Sequence, residues 1–199
     1  LVCQDDGLAE RARLLRTHGS KPKYYHKFVG GNFRLDHLQA ALLRVKLARY
    51  ADYTVKRQAN AAHYTAALAE LPGVVTADPS HCKCREAQDE WLRETGAKMV
   101  LPVAYAHNEH IWNQYTLRII GEGRRDAFRE HLTKSGIGCE IYYPVTMDQQ
   151  ECFAYTSDFA RSGCAVAHRL ASEVISIPIF PELTVGQREA VIAAIAAWL

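Results

Sequence analysis

Neither charge dominates this sequence. Lys and Arg number 24 against 22 Asp and Glu, a formal net charge of +2 over 199 residues. A dedicated nucleic-acid binder carries a strong basic face, so this balance argues against one. No uninterrupted apolar run approaches the roughly 18 residues that a membrane-crossing helix needs. Nothing repeats at the period of a solenoid. The opening LVCQDDGLAERARLL has no initiator Met, basic leader or signal-peptide core. The expected setting is therefore cytoplasmic, with Cys3, Cys82, Cys84, Cys139, Cys152 and Cys164 as reduced thiols. The cysteines also lack a zinc spacing. His81, Cys82 and Cys84 cluster in HCKC, but no second ligand pair follows at a metal-like distance. No metal is predicted, and a surface insertion stands beside a weaker thiol or metal reading.

What is present is a chain able to bury a core: 48% of residues are hydrophobic and 23% charged. Asp5 or Asp6 can cap a helix over about Gly7 to Thr17, with Leu8, Ala12 and Leu15 as its apolar stripe. HGSKPKYYHKFVGG then breaks it with Gly, Ser and Pro. Leu35, Leu38, Leu42 and Val45 recur at spacings of three and four. The helical run from Leu35 to Leu71 is too long for one ordinary helix, so two helices or one bent helix are predicted. After Pro72-Gly73 the reading is a short strand VVTAD, a polar excursion with a brief helix, and a strand over His110 to Ile120. A helix with Phe128 and Leu132 follows, then a strand GCEIYYPV stopped by Pro144. A helix running into a strand before Pro178 comes next, and a last helix opens on a Thr184/Gln187 capping box. This order predicts an α+β fold: a long helical region followed by a small, mostly antiparallel sheet with helices on one face.

The stretch GGNFRLDHLQAALLRVKL carries the first chemical suggestion. Gly30 and Gly31 let the backbone approach a ligand closely. Asn32 can cap the following helix, or its amide can donate to an anion at the positive end of the helix. Arg34 offers a planar fork of donors that matches phosphate, or it pairs with Asp36. The preceding loop is rich in Lys, Tyr and His. It reads either as an ordinary solvated loop or as a wall for a phosphorylated or sugar-like ligand.

Four blocks in this order resemble one family. They are LAERARLLRTHGSKPKYYHKFVGGNFRLDHLQAALLRVKL, HIWNQYTLRI, GIGCEIYYPVTMDQQECFAY and ASEVISIPIFPELT. Together they look like the C-terminal part of the nucleotide-sugar aminotransferases of the DegT/DnrJ/StrS type, fold-type I enzymes that use pyridoxal phosphate (PLP). Only about Ser80 to Lys98 lies outside the resemblance. It implies that residues 1–47 end a PLP-binding large domain with its cofactor-phosphate loop. Residues 48–199 would then form an interdomain helix and a C-terminal small domain. It implies a homodimer with shared active sites, a nucleotide-sugar substrate and an amino donor such as glutamate.

By the same resemblance Asn32 reaches the phosphate of the partner's PLP, with Arg34 beside it. Lys23, Tyr25 and Lys27 lie near the nucleotide diphosphate, and His110, Tyr142 and Tyr143 lie near the sugar. For these residues plain packing is an equal alternative. Asp148 stands where the family often carries a His, and an acidic group there would repel a substrate phosphate. The lysine that binds PLP covalently matches none of Lys21, Lys23, Lys27, Lys46, Lys56, Lys83, Lys98 and Lys134. Its expected place is upstream of Leu1, so no catalytic residue is assigned within this chain, and the chain alone is expected to be inactive. A non-catalytic α+β binding or dimerisation module is the alternative.

Overall fold

Asp5, itself extended, caps the first helix, its carboxylate accepting a 2.8 Å hydrogen bond from the Leu8 N–H. In this computed structural model, residues 4–33, 36–78, 80, 85–155 and 164–199 are described. The helices among them are α1 (Asp6–Leu15), α2 (His37–Leu47), α3 (Tyr50–Ala69), α4 (Arg85–Thr95), α5 (Arg124–Lys134), α6 (Ala165–Glu173) and α7 (Val185–Trp198). The strands are β1 (Val74–Thr76), β2 (Met99–Leu101), β3 (Tyr115–Ile119) and β4 (Val174–Ile177). The long helical region is two helices, as one of the two predicted alternatives has it. The Thr184/Gln187 capping box is formed at the start of α7.

The chain divides into two compact units. One comprises residues 1–47 and 143–171, the other residues 48–142 and 172–199. Residues 143–171, placed by sequence in the C-terminal domain, thus pack with the N-terminal segment.

The second unit holds the sheet, in the order β1-β2-β3-β4. β1 and β2 are parallel and joined through α4, and the other two pairings are antiparallel. The α+β class and the mostly antiparallel sheet are therefore as predicted. Alternation along β3 turns Tyr115, Leu117 and Ile119 into the main core. They meet Tyr64 and Leu68 of α3, Phe128 and Leu132 of α5, and Val191 and Ile195 of α7. Burial pushes the phenols of Tyr64 and Tyr115 up to about 12. The opposite face of the sheet carries Val75, Val100 and Ile120, which pack with Trp91 and Leu92 of α4. Thr116 and Ser176 join hydroxyls at 2.8 Å across β3 and β4. The Arg118 Nε donates to Glu173 at 2.5 Å.

Two predicted strands need correction, and one strand was not predicted. GCEIYYPV is not a strand: only Glu140 pairs, in a single bridge with Ser176 on the edge of β4. Pro144 lacks an N–H for a ladder, and the apolar content of the stretch is met by burying Ile141. The strand expected over His110 to Ile120 is regular only from Tyr115, because Trp112 adopts a left-handed φ of 51°. β2 was left unassigned. Its three residues are buried on both faces, so they show no alternation to read.

In the first unit, α2 has no buried residue. Leu38, Leu42 and Val45, predicted as its inward stripe, are 71%, 63% and 75% exposed. Leu35 lies outside the described residues. A contiguous apolar helix face on a monomer marks a surface that is covered in use. Two outcomes are expected. Leu117→Ala should cost about 2–5 kcal/mol in a denaturant melt, the range for truncating a buried leucine. The purified chain should self-associate in gel filtration, with Leu42→Glu shifting it towards monomer.

Candidate functional site

The loop between α1 and α2 is built on the open end of α1. The Gly19 N–H donates to Leu14 O at 2.7 Å, Gly31 to Leu15 O at 2.8 Å and Phe33 to Arg16 O at 3.1 Å. These bonds occupy carbonyls that the last helical turn leaves unpaired. Thr17 and Asn32 form an antiparallel bridge in the same seam. A Cβ on Gly30 would lie 2.5 Å from Leu15 O. The close approach that this glycine permits is therefore to α1, whereas the sequence suggested a ligand. Asn32 itself is exposed, held between two anchored neighbours.

The sequence also placed Asn32 as a possible cap for the next helix, and here the structure differs. α2 begins at His37, and Asp36 caps it. Its carboxylate accepts from Gln39 N at 2.7 Å, while the Gln39 side chain accepts from Asp36 N at 3.2 Å. An acid three residues before a glutamine makes a reciprocal cap. Arg34 lies outside the described residues, as do His81, Cys82 and Cys84 of the HCKC cluster.

Further along the loop, Lys27 N donates to Gly19 O and Lys21 N to Tyr25 O. The loop is locked by Gln150, 124 residues away in sequence from His26 and only 5% exposed. The Gln150 Oε1 accepts from His26 N at 2.8 Å, and its Nε2 donates to Tyr24 O at 3.1 Å and Val145 O at 3.3 Å. His26 Nδ1 reaches His18 O at 2.7 Å. Between the loop and residues 145–151 lies a cavity of about 360 Å³. Tyr25 and Lys27, two of the predicted ligand-binding residues, line it together with Lys21, Gln149 and Glu151. Lys23 does not line it; its ammonium sits 4.5 Å from the Tyr24 ring centroid. Lys21 pairs with Glu10, which holds that exposed carboxyl below its usual range. Sequence reasoning missed Lys21 as a wall residue and Gln150 as the lock. A second glutamine in DQQEC carries no periodic signal that would have marked it.

Asp148 has a partner. Its Oδ2 lies 2.5 Å from His168 Nε2, so an imidazole already engages this carboxylate. The Thr146 hydroxyl first, and then His168, hold the Asp148 carboxyl below the ordinary aspartate range, against a raising effect of burial.

His110 and Tyr142 belong to the second unit, and Tyr143 to the first. Tyr143 is 70% exposed. Tyr142 lines a second cavity, of about 440 Å³, with Asn113, Gln114, Glu140 and Ser176. His110 does not line it but stands behind its wall. The His110 Nδ1 accepts from Trp112 N at 3.0 Å, so the neutral ring carries its proton on Nε2. Its ring centroid lies 4.1 Å from that of Trp112, which in turn stacks on Tyr115 at 5.3 Å. The half-buried Cys139 thiol beside the cavity is pushed up by burial, which makes it a poor nucleophile.

Comparison with known proteins agrees with this assembly of loops and sheet. The family model of the DegT/DnrJ/EryC1/StrS aminotransferases matches residues 1–88 and 83–196. A dTDP-3-amino-3,4,6-trideoxy-alpha-D-glucose transaminase of Streptomyces venezuelae is 35% identical over 199 residues, covering 100% of this chain and 45% of the relative. A pleiotropic regulatory protein of Geobacillus stearothermophilus is 34% identical, over 98% of this chain and 45% of its own length. A crystal structure of S. venezuelae DesV in complex with a ketimine intermediate superposes with a TM-score of 0.63 at 34% identity. The match covers 99% of this chain and 45% of that one. The chain thus spans about 45% of the length of these relatives.

The Asp148 pair gives a pH expectation. Because its folded-state titration is lowered, the stability it contributes is present above the unfolded value of 3.8 and fades as pH falls through the lower folded one. Carbon-13 NMR of the Asp148 carboxyl should show a midpoint below 3.8, and Thr146→Val should raise it. A midpoint at or above 3.8 in the unaltered chain contradicts the arrangement.

Proposed function

The chain belongs to the DegT/DnrJ/EryC1/StrS aminotransferase family, and we propose that it forms the C-terminal part of a PLP-dependent enzyme that replaces the carbonyl of a nucleotide-linked keto sugar with an amine. Glutamate or a similar amino acid is the donor. The enzyme works in the cytoplasm as a homodimer with shared active sites. The observation that carries this reading is the family match along nearly the whole chain, from residue 1 to residue 196.

The residues present fit a cofactor's phosphate in one respect. A phosphate needs donors fixed in place, and Asn32 is an exposed amide on backbone pinned at Gly31 and Phe33. One amide does not hold a dianion alone, so Asn32 contributes to a phosphate whose other partners lie elsewhere, in the dimer on the neighbouring protomer. PLP, when bound, supplies the electron sink that lets a proton leave the substrate carbon. Arg34, two residues on, adds a cation to the same phosphate.

The loop cavity takes the substrate's diphosphate. Lys27 and Lys21 provide point charges there, and Tyr25 provides a hydroxyl; Lys23 adds charge on the same loop. Asp148, engaged by His168, adds less repulsion than a lone carboxylate. Tyr142 offers its hydroxyl to the sugar from the second cavity, with His110 supporting that wall. None of the lysines is assigned to hold PLP covalently, so the chain alone binds the substrate without reacting.

Two measurements check this. PLP added to the purified chain should give no absorption band beyond that of the free cofactor; a stable lysine adduct would overturn the placement of this chain in the enzyme. In the complete protein, Asn32→Ala should weaken PLP retention about 10- to 100-fold, the loss of one hydrogen bond to a charged group at about 1.5–3 kcal/mol. Wild-type retention removes Asn32 from the phosphate. A complete protein that fails to aminate a dTDP-linked keto sugar in the presence of PLP and glutamate leaves the non-catalytic binding module as the better account.

A further inference from the structure

We propose that Arg57 is a positioning residue for the sugar: it locks a left-handed turn at Trp112 and thereby sets Asn113 and Gln114 on the wall of the 440 Å³ cavity, which takes a hydroxylated ring. This rests on the reading above that the substrate is a nucleotide-linked sugar.

The starting observation is backbone strain. Trp112 is buried and has a φ of 51°, a region that a bulky side chain enters only when its surroundings force it. The forces are visible. Arg57 Nη1, on α3, reaches Trp112 O at 3.3 Å and Asn113 O at 3.4 Å. His110 Nδ1 takes the Trp112 N–H, and the indole lies between the rings of His110 and Tyr115. Gln58, next along α3, donates to His110 O at 3.1 Å.

The same guanidinium nitrogen also reaches a second segment of the lining. It donates to Ile179 O at 2.7 Å. Asn60, one turn on and 3% exposed, donates to Phe180 O at 2.9 Å, while its own oxygen accepts from Arg188 at 2.5 Å. One face of α3 therefore sets both the 113–114 wall and the 179–180 wall of the cavity. A fixed spacing between two walls is what a rigid ring needs.

The lining identifies the ligand class. It contains no Lys, Arg or His among the described residues, so it is not a phosphate site. The amides of Asn113 and Gln114, the hydroxyls of Tyr142 and Ser176 and the Glu140 carboxylate suit ring hydroxyls, which both donate and accept. Phe180 supplies an aromatic surface for the ring's C–H face.

The test uses the nitrogen-15-labelled chain, with dTDP-glucose as probe and dTDP as its sugar-free control. In the unaltered chain, dTDP-glucose should move the side-chain amide signals of Asn113 and Gln114, and dTDP should not. Arg57→Met should weaken dTDP-glucose binding at least 10-fold and leave dTDP binding unchanged, a split that general loosening would not give. Arg57→Lys, which keeps a cation on a long stem, should restore most of the loss. Silent amide signals in the unaltered chain, or an Arg57→Met chain that binds dTDP-glucose normally, overturn the proposal. Should Arg57→Met not fold by circular dichroism, the Asn113→Ala/Gln114→Ala chain decides: the sugar-dependent part of affinity must fall, and an unchanged affinity overturns it. A complete enzyme that does not transaminate, although Asn113 and Gln114 still respond to glucose, sinks the reaction and spares Arg57. An active enzyme indifferent to Arg57→Met does the reverse.

Discussion

Irregular backbone that leaves water must find hydrogen-bond partners, and in each unit of this chain a long polar side chain supplies several of them. In the first unit Gln150 accepts from one loop N–H and donates to two carbonyls. In the second, Arg57 serves three carbonyls from two separate segments. Neither side chain serves a helix cap or a sheet ladder. Without them, the loops around the two cavities would hold unpaired polar groups, each with a desolvation cost of about 1–3 kcal/mol. Each cavity is therefore lined by loops whose polar backbone is met by a side chain from elsewhere in its own unit.

The framework beneath is conventional. A four-stranded sheet packs Leu117, Ile119 and Ile175 against α3, α5 and α7, and a small second cluster under α4 covers part of the other face. The proposed function needs rigid walls and a phosphate-facing amide. The sheet and α3 provide the walls, and the end of α1 provides the platform for Asn32. The exposed apolar face of α2 follows the same logic: its leucines are spaced for burial, and nothing among the described residues covers them.

Helices were easy to read because they carry their own signals. Asp5, the Thr184/Gln187 box and the spacing of Phe128 and Leu132 act within a few residues. Short strands carried less. β2 has three residues and no polar alternation, while GCEIYYPV has the composition of a strand but bridges at one residue. Whether a segment joins a ladder depends on which edge is free beside it, and that is not a local property. The Asp36 cap was within reach of sequence reasoning, since Gln39 follows at the right spacing; the glycine pair drew attention to Asn32 instead.

The sequence by itself determined the class of the fold, the helices and their caps, and the blocks that resemble the aminotransferase family, because each rests on residues close together along the chain. Of the residues that the resemblance offered as substrate-binding, Tyr25, Lys27 and Tyr142 line cavities. Only the tertiary structure decided that Gln150 holds the loop, that His168 engages Asp148 and that Arg57 braces a left-handed Trp112. Those contacts join residues 124, 20 and 55 positions apart. A hydrogen bond between distant residues depends on where folding brings the two groups, and no pattern along the chain records that.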